Sequence, residues 1–279
     1  MQLCDLHTHS IYSDGTCTPQ ELIDTSIRMG LSAVALCDHN TVDGLPAFLA
    51  AAQNKNIEAI AGVEFSVDHN GTELHLLALF IPENQFAHIS HFMNEVTERK
   101  KQSNLNLIAS LNRAGYMVDY ESIKNSTPNG KFNRAHIAAE LTRKGYTTSI
   151  KHAFSTLLSP EAGHYVEPKR LLFLEMVDFI TSIGAVPVLA HPFLNLTKDA
   201  LEALLPSAKK QGLVGMECYY SLYSETTTRE AICLADQFRL KYSGGSDFHG
   251  ANKPDIKLGS GKGNLEIPYD WAVALKTAE

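Results

Sequence analysis

Short apolar runs alternate with amphipathic stretches at both ends of the chain, and the change of period separates strands from helices. Residues 2–7, 32–38, 57–64 and 72–80 are apolar or β-branched runs that predict strands. Between the first two, Thr18-Pro19-Gln20-Glu21 predicts a helix start, with Thr18 as N-cap, Pro19 at the first helical position and Glu21 closing a capping box. A second helix is expected over about 42–54, and Asn70-Gly71 marks a turn between the third and fourth strands. The rhythm is that of βαβ units.

The pattern then changes. From 84 to 184 no strand is expected, and residues 89–114, 133–144, 150–158 and 168–182 predict helices, with Gly115, Gly145 and Gly184 placed as stops. Strands return at 185–190, 213–218 and 240–244, separated by helices over about 198–211 and 225–238, and residues 256–271 are expected to wrap the sheet. The fold class expected is α/β, a barrel interrupted by a helical insertion. Residues 1–83 and 185–279 would form the barrel, and 84–184 the insertion or lid, including the return helix. Charge changes in the same region: residues 84–170 hold 12 of the 24 Lys and Arg but 7 of the 31 Asp and Glu, a balance of +5, which leaves 12 minus 24, or −12, for the remainder. A basic insertion beside an acidic barrel would steer an anionic substrate.

With 279 residues, 44% hydrophobic and 20% charged, the composition is that of a globular protein large enough to bury a core without staples. No apolar run approaches the roughly 20 residues of a membrane helix, and MQLCDLHTHS lacks the basic and apolar segments of a signal peptide. Five cysteines without a CxxC spacing suit a reducing compartment, so a cytoplasmic location is expected and all five read as buried thiols. The net charge of −7 excludes broad coating of nucleic acid.

The chemistry lies at the strand ends. The first expected strand ends His7-Thr8-His9, the second Asp38-His39 and the third Gly62-Val63-Glu64; the fourth carries His75, the fifth ends His191-Pro192, and the last runs into Ser246-Asp247-Phe248-His249. Loops at the carboxyl ends of barrel strands build active sites, and six ends that each deliver His, Asp or Glu point to a metal site. Asp14, in Ser13-Asp14-Gly15, reads on its own as a turn residue.

These motifs, HTH at 7–9, SDG at 13–15, CDH at 37–39, GVE at 62–64, AHP at 190–192 and GSDFH at 245–249, resemble those of the PHP (polymerase and histidinol phosphatase) family of metal-dependent phosphoesterases. NRAHIAAEL at 133–141 and GHYVEP at 163–168 resemble the subgroup that contains RNase AM and nucleoside 3',5'-bisphosphate phosphatases. The resemblance implies a distorted (β/α)7 barrel and two or three divalent ions (Mn, Fe or Zn). His7, His9, Glu64 and Asp247 would hold the first, Asp14, His39 and His249 the second, and Glu64, His75 and His191 the third, with Glu64 bridging. It also implies hydrolysis of phosphate esters of nucleotides or short oligonucleotides by an ion-activated water, with Glu64, Asp247, His249, Arg134 and His136 as catalytic residues. Asn133 is a plausible N-cap, so Arg134 and His136 would sit in a helical first turn whose free N–H groups favour an anion. On position alone they read as surface residues; the resemblance implies that they bind substrate. Relatives often have Asp where Asn40 stands and Arg where Phe193-Leu194-Asn195 follows the His-Pro motif.

A histidinol-phosphate-type phosphatase, a non-phosphoester metallohydrolase on an amidohydrolase-like barrel, and a non-catalytic metal-dependent binding module are the alternatives. His69, His88, His91 and His152 read as surface residues, His164 is undecided, and Cys4 and Cys37 read as core. Tyr219 and Tyr220 have two readings, stacking on a base or packing at the barrel mouth.

Overall fold

The structure, a computed structural model, describes residues 2–126 and 133–278. Seven strands form one sheet in chain order: β1 (Cys4–Thr8), β2 (Ala33–Leu36), β3 (Glu58–His69), β4 (Thr72–Leu79), β5 (Val186–Ala190), β6 (Gly215–Tyr220) and β7 (Lys241–Gly245). β4 runs antiparallel to both neighbours and every other pairing is parallel. The β3–β4 hairpin turns at Asn70-Gly71, both at positive φ, as the dipeptide predicts. β1 returns to the end of β7 through a parallel bridge from Thr8 to Phe248, with Asp247 N–H donating to His7 O (2.9 Å) and His9 N–H to Phe248 O (2.9 Å). The sheet is thus a nearly closed (β/α)7 barrel, distorted by its one reversed strand.

Helices α1 (Pro19–Arg28), α2 (Leu45–Ala52), α3 (Phe86–Arg113), α4 (Tyr120–Ser126), α5 (Arg134–Arg143), α6 (Ile150–Ser155), α7 (Phe173–Ser182), α8 (Lys198–Gln211), α9 (Glu225–Gln237) and α10 (Tyr269–Lys276) complete the described residues. The α1 capping box forms as read: Thr18 accepts from Glu21 N–H, and the Glu21 carboxylate accepts from Thr18 N–H. Several elements differ from the sequence pattern: β3 runs on to His69, past the end expected at Glu64, β6 is shifted two residues from 213–218, and α4 is an unexpected helix. The helix expected from 168 begins at Phe173, because residues 163–171 run without regular structure; Asp68 N–H on β3 donates to Leu171 O just before the helix starts. The segment 256–271 ends in a helix, α10, which buries Ala272 and Leu275.

The chain divides into two compact units, residues 1–91 with 170–279, and residues 92–169. The first boundary falls inside α3, and α7 belongs to the barrel unit. In the barrel unit Cys4, Leu6, Ile60, Leu77, Val188 and Leu275 join one buried cluster. The second unit has its own core, around Leu107, Leu111, Ile137, Leu141 and Ala153. Cys4, Cys37 and Cys218 are buried, but Cys17 is half-buried and Cys233 is exposed on α9, which corrects the reading of five buried thiols. No helix among the described residues is long and apolar enough to cross a membrane.

Two devices set the strand ends that carry the chemistry. The register of β1 on β2 shifts between Asp5 and Thr8, an irregularity that re-aims His7. Across the seam, Gly245 on β7 packs so closely that a Cβ built on it would lie 2.2 Å from His7 Cβ. Gly245→Ala must therefore displace β1 from β7, and its cost in chemical denaturation is expected at or above the ~1–3 kcal/mol of ordinary overpacking. A denaturation midpoint equal to wild type would refute this close approach.

Candidate metal centre

Every strand end that the sequence singled out delivers its side chain to one place in the barrel unit. Glu64, fully buried on β3, is its centre. Its Oε2 lies 3.2 Å from His7 Nε2, 3.3 Å from His9 Nε2 and 3.1 Å from His39 Nδ1. Its Oε1 lies 2.7 Å from His75 Nδ1 and 3.0 Å from His191 Nε2. Asp247 Oδ1 adds a second carboxylate, 3.2 Å from His9 Nε2. Asp14 Oδ1 faces His249 Nε2 at 3.1 Å, His39 Nε2 at 3.8 Å and His9 Nδ1 at 3.9 Å. The nine residues read as ligands are brought together, and subsets of them place ligand atoms within 4.8 Å of one another: His7, His9 and Glu64; His9, Asp14, His39 and His249; His39, Glu64 and His75.

Two atoms test whether this set suits a cation. Glu64 Oε2 and His9 Nδ1 are buried without a hydrogen-bond partner, although three ring nitrogens stand close to the former. His7 Nε2 and His9 Nε2 face each other at 3.0 Å. Buried polar atoms are normally satisfied, and unprotonated imidazole nitrogens converging on a carboxylate repel unless a positive charge sits among them. A proton on one ring supplies part of that charge; divalent ions supply more, and the imidazole and carboxylate donors without thiolate suit Mn, Fe or Zn.

Protonation follows the same charges. Burial works against an ionised Glu64, but His7, His191 and His75 outweigh it and hold the carboxyl well below its usual range. Asp247 and Asp14 are held low in the same way, against their burial, by His9 and His7 and by His249 and His39 respectively. Burial opposes charge on His7, His9 and His75 too, yet Glu64 raises all three, with help from Glu217 at His7, Asp247 at His9 and Glu73 at His75. His39 goes the other way: burial, then the neighbouring His9 and His75, bring it down to about 4, so it is a neutral donor at pH 7.

Surrounding groups fix the donors. His249 Nδ1–H donates to Asp247 O (2.8 Å), leaving Nε2 for Asp14. Asp38 accepts from Ser10 N–H (2.8 Å), Ser10 Oγ (2.6 Å) and Ser13 Oγ (2.6 Å), holding the loop that carries Asp14. Asp247 Oδ2 accepts from Tyr220 OH (2.8 Å) and Lys253 Nζ (2.6 Å), so one oxygen faces the cluster and the other is anchored. His191 and Asp247 both have positive φ, +24° and +56°, a strain of order 1–3 kcal/mol for side-chain-bearing residues. Sequence reasoning missed Lys253 and Glu217 as site residues. Tyr220 packs at the barrel mouth, its ring 5.0 Å from His191, whereas Tyr219 turns to Trp271. Asn40 has φ +54° and pairs with Ser66, accepting its N–H (3.1 Å) and donating to its Oγ (3.2 Å), which accounts for an amide there.

Arg134 and His136 lie in the second unit. The Arg134 guanidinium sits over the Tyr165 ring at 4.0 Å and near that of Phe154 at 5.6 Å. Asn133 caps α5 as read, but its Oδ1 accepts the N–H groups of both Ala135 and His136, so these donors are taken and not free for an anion. His164 Nδ1 meets Ser110 Oγ at 2.9 Å in the same unit. His69, His88 and His152 pair with local polar groups.

A profile of the PHP domain matches residues 5–168. The chain is 29% identical over 246 residues to a 5'-3' exoribonuclease of Haemophilus influenzae, covering 88% of this chain and 89% of that protein. It is 29% identical over 247 residues to a 3',5'-nucleoside bisphosphate phosphatase of Chromobacterium violaceum, covering 88% and 86%. Among solved structures, an amidohydrolase from Chromobacterium violaceum, with bound sulfate and no metal, superposes with a TM-score of 0.66 at 27% identity, covering 97% of this chain and 96% of that one.

A pH signature follows from the raised imidazoles. In metal-free protein His7, His9 and His75 bind protons more tightly folded than unfolded. Their contribution to stability is complete below the unfolded value near 6.5 and is lost as pH rises through the folded values. The melting temperature of chelator-treated protein is expected to fall on the alkaline side of about 6.5, and a saturating divalent ion, which displaces these protons, should flatten the fall. Identical profiles with and without ion would contradict this balance.

Proposed function

The chain belongs to the PHP domain family, and on that premise we propose that it is a metal-dependent phosphoesterase that hydrolyses phosphate esters of nucleotides or short oligonucleotides. One observation carries the metal-dependent part: Glu64 Oε2 is buried without a hydrogen-bond partner among three imidazole nitrogens. The substrate class is supported by relatives that are an exoribonuclease and a nucleoside bisphosphate phosphatase. In this reading His7, His9, Asp14, His39, Glu64, His75, His191, Asp247 and His249 hold two or three divalent ions, with Mn, Fe or Zn the candidates. When bound, such ions acidify a water nucleophile and offset charge on the phosphoryl oxygens.

The protein's own groups set the geometry. Glu64 offers one oxygen to each side of the cluster and would be the residue shared between ions held there. Asp247, anchored by Tyr220 and Lys253, presents its free oxygen without needing to reorient. Arg134 and His136 bind substrate in this reading; the guanidinium is held over the Tyr165 ring at 4.0 Å, and its fork suits bidentate recognition of a phosphate.

The deciding assay offers Mn-loaded protein a panel of 3',5'-bisphosphonucleosides, short 5'-phosphorylated oligonucleotides, histidinol phosphate and an amide. Turnover of either of the first two supports the proposal; turnover confined to histidinol phosphate or to the amide replaces it, and inertness toward all four makes the chain a binding module. Glu64→Gln is expected to lower bound metal by more than one ion per chain and turnover at least ~100-fold. Full metal content with normal turnover would remove Glu64 from its bridging role. Arg134→Ala is expected to raise KM for substrates with a second phosphate while leaving metal content and aryl phosphate hydrolysis unchanged. Equal losses on both substrate classes would put Arg134 at the reacting phosphate.

A further inference from the structure

Glu217 lies on β6 and is fully buried, yet it is outside the nine residues of the centre. Its two oxygens are both occupied. Oε1 accepts from His7 Nδ1 at 3.1 Å, and Oε2 accepts from the backbone N–H of His191 at 2.7 Å. A carboxylate has no proton to give here, so the His7 proton must reside on Nδ1. His7 Nε2, the atom left for an ion, then faces Glu64 Oε2 (3.2 Å) and His9 Nε2 (3.0 Å). On its other side the same carboxylate holds a backbone that would otherwise relax: His191 stands at φ +24°, a conformation side-chain-bearing residues rarely adopt, with its Nε2 on Glu64 Oε1 at 3.0 Å. The two rings so fixed are nearly parallel, 14° apart in plane with centroids 5.6 Å apart.

We infer that Glu217 is the positioning residue of the metal centre, setting the tautomer of His7 and the backbone of His191 with one carboxylate and so aiming both ring Nε2 atoms at Glu64. The inference rests on the metal-centre reading above. Glu217, His7 and His191 also stand close enough to form a ligand group of their own, but both oxygens already accept N–H donors, and the one on His7 engages the edge of the ring opposite the cluster. A glutamine at 217 offers one acceptor and one donor. It can accept from only one of the two N–H donors, so either one contact is lost or His7 turns to the tautomer whose Nδ1 accepts from the amide, which puts its proton on Nε2 toward Glu64.

The test compares full-length wild type with E217Q, each stripped with chelator and reloaded with Zn2+, a diamagnetic probe. Zinc retention is read by competition with a chelator, and His7 by long-range proton–nitrogen NMR of 15N-histidine-labelled protein. Wild type is expected to show His7 protonated at Nδ1. E217Q is expected to retain zinc about 10–100-fold more weakly, with a mixed or reversed His7 tautomer. Its metal-free circular dichroism should match wild type, which separates misaimed ligands from lost structure. Wild-type retention together with an unchanged tautomer in E217Q would overturn the inference and leave the metal centre standing. Wild type that takes up no divalent ion overturns both. Should E217Q not fold, the wild-type spectrum decides alone: a protonated Nδ1 upholds the assignment and an unprotonated one ends it.

Discussion

Five imidazoles press on one buried carboxylate. Both oxygens of Glu64 lie within 3.3 Å of ring nitrogens contributed by β1, the loop after β2, β4 and the end of β5. Such a knot has no stable neutral form, because neutral rings meet the carboxylate with some lone pairs unmatched and fully charged rings repel one another in a poorly solvated interior. Positive charge has to enter from outside, as protons or as metal ions. The constraint reaches the rest of the barrel unit, since each ring must be held against that repulsion by the strand beneath it.

The holding is done largely by other buried carboxylates, each matched to several donors. Asp5 accepts from the N–H groups of His7, Ser246 and Gly259 and from Ser246 Oγ, tying β1 to the end of β7. Asp38 ties the loop after β1 to the end of β2 through Ser10 and Ser13. Glu217 ties β6 to β1 and β5. A lone buried carboxylate is costly, but one that accepts several N–H and O–H donors recovers much of its lost hydration and fixes the position of every donor. The acidity of the barrel noted in the sequence is thus partly structural.

Most residues of the cluster were legible because each follows an apolar run, where a polar residue stands out, although Glu64 and His75 lie within β3 and β4 and Asp14 lies in the loop after β1. The capping box of α1, the full span of α8 and the Asn70-Gly71 hairpin were legible for similar reasons: each depends on residues within a few positions of one another. Glu217 was not, because a glutamate between Met216 and Cys218 reads as one side of a strand alternation, and its partners lie 210 and 26 residues away. The β6 register also shifts between Glu217 and Tyr219, so counting by two does not place it. Lys253 was hidden by a loop that folds back six residues onto Asp247. The reversal of β4 was visible only as a hairpin turn; its second pairing, with β5, spans more than a hundred residues.

The cluster is not equally open on all sides, and this bears on how a substrate reaches it. His7, His9, Glu64, His191, Asp247 and His249 are buried. Asp14 is 57% exposed, and His39 and His75 are partly exposed at 26% and 19%. These three come from the loop after β1, the loop after β2 and from β4, so the open side is bounded by adjacent stretches of chain. In the proposed reading a phosphate entering there meets side chains that already face solvent, and it need not displace the anchored ones. His39 is uncharged at neutral pH, which leaves the rim of this opening without a competing imidazolium at that position. In the proposed reading the buried residues therefore set where ions can sit, whereas Asp14, His39 and His75 line the side open to a phosphate ester.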